Sequence, residues 1–184
     1  MLSNVEFYNT PSGDVMVKKY GQPVRELTVN DRDIIDAVLS IIKDRYPEAF
    51  ASLSDIYSKY DRNRINYEFK MVHRFIRCNL GEYDQYKYDI DHNGTICFEE
   101  VRCPLRGECQ NECVICKPVL NTNLTEREKE ILALIAQGLQ APVIANELSL
   151  SVATVNRHKE NIKAKLMLKT VGEMVNFWHQ NFNH

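Results

Sequence analysis

Residues 124–166 read LTEREKEILALIAQGLQAPVIANELSLSVATVNRHKENIKAKL, and this stretch decides the fold of the C-terminal third. Thr125 followed three residues later by Glu128 is a capping box, in which the hydroxyl and the carboxylate each take a backbone N–H that the first helical turn leaves unpaired. Ile131, Leu132, Leu134 and Ile135 then recur at helical spacing, and Gly138 ends the helix. Pro142 suits the first turn of a short second helix, PVIANEL. SLS makes a turn, and Ser151 caps a third helix, VATVNRHKENIKAKL. Its inner stripe is Val152, Val155, Ile162 and Leu166, which leaves Ala153, Asn156, Arg157, Glu160 and Ala164 on the opposite face. A last amphipathic helix is expected from about Thr170 to Phe182.

Two short helices joined by a tight turn, the second longer and polar outward, make a helix-turn-helix. The charge pattern agrees. The whole chain carries a formal net charge of −2, so no broad basic field surrounds it. Locally, Arg157, Lys159, Lys163, Lys165 and Lys169 gather around the third helix, opposed there only by Glu160. A patch of that kind can neutralise phosphates flanking a groove.

The stretches LTEREKEILALIAQGL and IANELSLSVATVNRHKENIKAKL resemble the LuxR-type (GerE) helix-turn-helix domain, with Thr125, Arg127, Glu128, Gly138, Ala145, Thr154, Val155, His158, Ile162 and Lys165 among the matching positions. The resemblance implies a sequence-specific DNA-binding transcriptional regulator. It places the outer face of the third helix in the major groove of double-stranded DNA. Asn156, Arg157 and Glu160 then fall where the family reads bases, and Thr154, Lys163 and Lys165 where it grips phosphate. The fourth helix corresponds to a surface the family uses for dimers, so a homodimer is expected, with RNA polymerase as a further partner. Val171, Met174, Val175 and Trp178 form a helical stripe there, and Phe177 beside Trp178 points elsewhere, so one of the two rings is expected to stay exposed. The sequence departs from the family at Met167, where a glycine is usual, and at the acidic Glu160.

The first 120 residues have a different organisation. VEFY and DVMVKKY flank the turn NTPSG and read as a hairpin. A helix follows through Ile34, Ile35, Val38, Leu39, Ile41 and Ile42, with Thr28 or Asn30 as cap. Pro47 starts a second helix. A third carries Ile65, Phe69, Val72, Phe75 and Ile76, with Gly81 past its end. Asn93-Gly94, between YKYDID and TICFEEV, signals a second hairpin. The polar connector KPVLNTN marks a boundary near residue 120. The fold class is therefore mainly α with small β-hairpins. An α+β input or dimerisation module occupies residues 1–120, with a Cys-rich segment at 97–118, and a four-helix domain occupies 121–184. The first module resembles neither a phospho-acceptor receiver nor an acyl-homoserine-lactone domain, because strands and helices do not alternate.

Two segments of this module carry metal-ligand patterns. DIDHNGTICFEE sets Asp89, Asp91, Asn93, Gly94, Ile96 and Glu100 at the spacing of an EF-hand loop. Its context opposes calcium: Cys103-Pro104 interrupts the leaving helix, and no second loop pairs with it. The other reading of 89–100 is a hairpin with solvated carboxylates.

VRCPLRGECQNECVICKP, residues 101–118, brings Cys103, Cys109, Cys113 and Cys116 within fourteen positions. The closing Cys-x2-Cys step lets two thiolates face one ion. So few apolar residues fill this segment that it needs a cross-link to fold, and a metal supplies one. Cys78, ending the third helix, can replace Cys113 as fourth ligand, and Cys97 reads as an apolar filler. Zinc is the leading expectation, an iron–sulfur cluster that senses metal or redox state the alternative, and free thiols the bland reading.

Other classes find little support. The chain shows no Ser/His/Asp set, no phosphate loop and no HExxH, and His73 and His92 stand alone, so no enzyme is expected. MLSNVEFYNT has no basic n-region followed by an apolar run, and no stretch approaches the roughly 18 apolar residues of a membrane span. A cytoplasmic location is expected, where thiols stay reduced.

Overall fold

The computed structural model of the chain describes residues 2–83, 87–92, 94, 96–166 and 168–182. Two compact units emerge, Met1–Asn121 and Thr122–His184.

In the first unit, β1 (Val5–Asn9) and β2 (Val15–Lys19) pair antiparallel, with Phe7 opposite Val17, and β3 (Arg25–Glu26) adds a short edge. The turn between β1 and β2 closes through Gly13, whose φ of +94° a side chain would resist. Three helices follow: α1 (Arg32–Arg45), α2 (Pro47–Tyr57, Pro47 in its first turn) and α3 (Arg64–Asn79). Phe7, Val15 and Val17 from the sheet meet Ile34, Ile35, Val38, Ile42, Leu53, Met71, Val72, Phe75 and Ile76 in one core.

Several expectations need correction here. Neither Thr28 nor Asn30 caps α1. Asp31 is the cap residue, and its carboxylate turns back to accept from the Thr28 N–H (2.7 Å) and hydroxyl (3.0 Å). Ile65 is exposed, while Met71 is fully buried. The fully buried face of α3 begins at Glu68, a carboxylate clamped by Arg32 and Arg64, and in the turn before it Tyr67 packs at the core's edge while Ile65 does not.

The second hairpin is reduced, among the described residues, to isolated bridges, Val5 with Ile90 and Ile90 with Ile96. Its expected tip and EF-hand position Asn93 lies outside the described residues. The first and last positions of the EF-hand pattern sit in different surroundings. Asp89 is buried and accepts from the Phe7 N–H at 2.6 Å, whereas Glu100 is exposed and faces Lys117 (3.6 Å) and Arg106 (3.9 Å). No helix leaves from Glu100; residues 97–103 are irregular, followed by turns.

The second unit holds α4 (Glu126–Ala136), α5 (Ala141–Glu147), α6 (Val152–Leu166) and α7 (Val171–Asn181). Leu124, Ile131, Leu132, Ile135, Ile144, Val155, Ile162 and Met174 form its separate core. The capping box is complete: Thr125 Oγ1 accepts from the Glu128 N–H, and Glu128 accepts from the Thr125 N–H at 2.8 Å. No helix among the described residues is long and apolar enough to cross a membrane.

Candidate nucleic-acid interface

The turn between α5 and α6 sets the interface. Ser149 takes φ +53°, and Leu150 N–H donates to Ala145 O at 2.8 Å, which folds the chain back on α5. Arg127 of α4 reaches across to donate to Leu148 O at 2.6 Å while pairing with Glu130. The long-range arginine clamp carries no signal in helical periodicity, and the sequence reading assigned Arg127 no role. Ser151 then starts α6, accepting from the Thr154 N–H at 3.0 Å. Its hydroxyl also shares a 2.8 Å hydrogen bond with the Thr154 hydroxyl, so Thr154 is half-buried and engaged in the cap.

From that start, Val155 and Ile162 face inward and are fully buried. Val152, expected in the same stripe, is instead exposed at the first turn. Outward stand Ala153, Asn156, Arg157, Glu160 and Ala164, all exposed. Among the described residues, the Asn156 and Arg157 side chains make no hydrogen bond or ion pair, so both donors are available to a ligand. Glu160 pairs with Lys163 at 2.8 Å, one turn on.

Lys165 is placed otherwise. Its ammonium donates to Glu128 Oε2 at 2.6 Å, pinning the C-terminal end of α6 to the cap of α4. Glu128 is almost wholly buried. Burial pushes its carboxyl up, but hydrogen bonds from Lys165 and Thr125 outweigh this and hold it below the ordinary glutamate range. Met167, one of the two departures from the family pattern, lies outside the described residues.

The last helix packs on α4 through Met174, which is fully buried. Neither ring of the pair Phe177 and Trp178 stays exposed, contrary to expectation. Both are half-buried, because Phe182 folds back and stacks on Trp178 at 4.7 Å and approaches Phe177 at 6.2 Å. Val171 alone of the expected stripe is exposed.

A long helix presenting amide and guanidinium donors, held by a clamped turn against a preceding short helix, has the form of a helix-turn-helix. Residues 122–177 match the family described as bacterial regulatory proteins, luxR family. The second unit carries a LuxR-family domain. Its relatives include the "Oxygen regulatory protein NreC" of Staphylococcus aureus strains JH9, JH1 and Mu3, each 48% identical over 54 residues. The match covers 29% of this chain and 25% of each relative, so the similarity spans about a quarter of the length of those proteins. No solved structure gives a significant match. The LuxR-family domain thus accounts for the second unit only.

In the first unit, the sequence-predicted cysteines do not assemble at ligand spacing. Cys103 and Cys113 are exposed, and Cys78, Cys97, Cys109 and Cys116 are half-buried, all reduced. Among the described residues, the single trio of His, Cys, Asp or Glu ligand atoms lying within 4.8 Å of one another is Glu6, Asp89 and Glu99. The cysteine segment is nonetheless anchored. Asn79, fully buried at the end of α3, donates to Ile115 O at 2.8 Å and accepts from the Lys117 N–H at 2.9 Å. Ser52 of α2 bonds Asn111 at 2.7 Å, and Ile115 is buried in the core. His73 is half-buried at the edge of Phe69, and burial holds its imidazole below the usual value.

Proposed function

We propose that the chain is a sequence-specific DNA-binding transcriptional regulator, a binding protein and not an enzyme. The α6 helix enters the major groove. The observation that carries the reading is the exposed face of α6, where Asn156 and Arg157 offer unpaired donors beside Glu160. Arg157 suits the O6 and N7 edge of guanine, Asn156 the edge of adenine, and Glu160 the amino group of cytosine. Thr154 and Lys163 flank this face and turn from Ser151 and Glu160 to grip the phosphates. Lys165 supports the interface through Glu128. Two copies bind as a homodimer, so that two α6 helices meet half-sites one helical turn apart, and RNA polymerase is the partner such a regulator addresses.

The test is selection of bound duplexes from a random DNA library by the full chain, followed by titration of the selected site. A recurring, inverted motif is expected. Arg157→Ala should weaken the selected site by about 1–3 kcal/mol and leave random DNA nearly unchanged. Equal losses on both DNAs, or no enriched motif, would remove base reading from this face.

A further inference from the structure

We propose that Ala153, with Val152 beside it, reads a thymine in the target DNA through that base's C5-methyl group. The proposal rests on the DNA-binding reading above. It adds to the polar readers of α6 one that works without hydrogen bonds.

The first ground is position. Ala153 is exposed, and lies four residues before Arg157 and seven before Glu160. At 3.6 residues per turn, Arg157 falls about 40° to one side of Ala153 around the helix, and Glu160 about 20° to the other. Ala153 therefore stands in the middle of the outward face. It also stands at the N-terminal end of α6, the end from which a recognition helix touches base edges. Ser151 holds the first turn in place by accepting from the Thr154 N–H at 3.0 Å. Ala164 is exposed on the same face, but lies about 16 Å further along the helix, beyond the polar readers.

The second ground is chemistry. Val152 is 42% exposed, so two consecutive apolar side chains meet solvent at the start of α6. The exposed residues that follow, Asn156, Arg157 and Glu160, are all polar. Neither Val152 nor Ala153 has a side-chain donor or acceptor, so neither can pair with an amino group, a carbonyl or a ring nitrogen. Base edges in the major groove carry one apolar group, the methyl of thymine. An apolar pair set against those edges thus selects thymine by its methyl alone. A cytosine amino group in the same place would lose its water to a surface that returns no hydrogen bond.

The third ground is register. At a rise of 1.5 Å per residue, Ala153 precedes Arg157 by about 6 Å, which spans one to two base-pair steps of roughly 3.4 Å. The thymine therefore belongs one to two base pairs from the guanine that Arg157 reads, once in each half-site.

The experiment uses the full chain and the duplex motif selected from random DNA. Each thymine is replaced in turn by deoxyuridine, which keeps the base pair and removes only the methyl. At one thymine per half-site, one to two base pairs from the position where Arg157→Ala relaxes specificity, affinity should fall about fourfold, the worth of one buried methyl-sized group. Cytosine at that position should bind more weakly still, and 5-methylcytosine about fourfold more tightly than cytosine. In Ala153→Gly the thymine and deoxyuridine duplexes should bind within about twofold of each other. That ratio is read within one variant, so any loss of helix stability acts on both duplexes and cancels. A motif that depends on Arg157 yet tolerates deoxyuridine at every thymine leaves the DNA reading standing and overturns this inference, because Ala153 then only makes room for the helix. An Ala153→Gly chain that keeps the fourfold discrimination also overturns it. If no motif is enriched, base reading by α6 falls and this inference falls with it.

Discussion

Replacing Lys165 with Met separates two roles that the sequence cannot distinguish. Met keeps the unbranched stem and removes the ammonium. In the structure that ammonium bonds a carboxylate only 3% exposed, while the lysine side chain itself is 36% exposed. A fully buried pair that loses one partner costs about 3–5 kcal/mol, and an exposed pair about 0.2–1 kcal/mol. Glu128 also retains the Thr125 N–H and hydroxyl, at 2.8 and 3.1 Å, so it is not orphaned. The expected loss is therefore about 1–2 kcal/mol, between the two limits. For a unit of this size about 1 kcal/mol lowers Tm by roughly 4–8 °C. Trp178 is the sole tryptophan and sits in the second unit, so its fluorescence on heating reports this unit's unfolding. DNA titrations across salt concentrations complete the assay. A phosphate contact would flatten the slope of log affinity against log salt by about 0.9, whereas the Glu128 tie predicts an unchanged slope. An unshifted Tm with a flattened slope would refute the reasoning and return Lys165 to the DNA.

Lys163→Ala should weaken all DNA sequences alike and flatten the salt slope by about 0.9; a loss confined to one sequence would count against the phosphate role. The Trp178-reported stability of the second unit should fall in acid. Glu128 is held below its unfolded value, so its contribution is complete above roughly pH 4.3 and is lost as pH drops through the lower folded value. Glu173, also held low by the Lys169 N–H and by Thr170, titrates in the same direction, so Glu128→Gln should remove part of the acid sensitivity and not all. Asn79→Leu should leave Ile115 O and the Lys117 N–H unpaired at a cost of about 1–3 kcal/mol, and hydrogen exchange should rise across residues 111–118. Unchanged protection there would mean that the cysteine segment is held by other contacts.

What could be read without coordinates was local. The Thr125–Glu128 box, Pro47 and Pro142 in first turns, Ser151 before α6 and the Asn156–Arg157 face all depend on groups within four residues of one another. Backbone geometry brings such neighbours together whatever the rest of the chain does, so spacing alone reveals them. Tertiary structure decided every question of partnership between distant groups. Asp89 begins a loop that spells a calcium site, yet β1, 82 residues away, takes its carboxylate with the Phe7 N–H. Lys165 belongs to a basic patch in sequence, yet Glu128, 37 residues earlier, holds its charge. Asn79 reads as an ordinary helix-end residue, yet its amide holds the backbone on both sides of Cys116, at Ile115 and Lys117. A side chain's type states what it can bind. Which of several suitable partners it meets depends on where packing of the two cores carries it, because charge pairing and hydrogen bonding act over a few ångströms while sequence separation sets no distance.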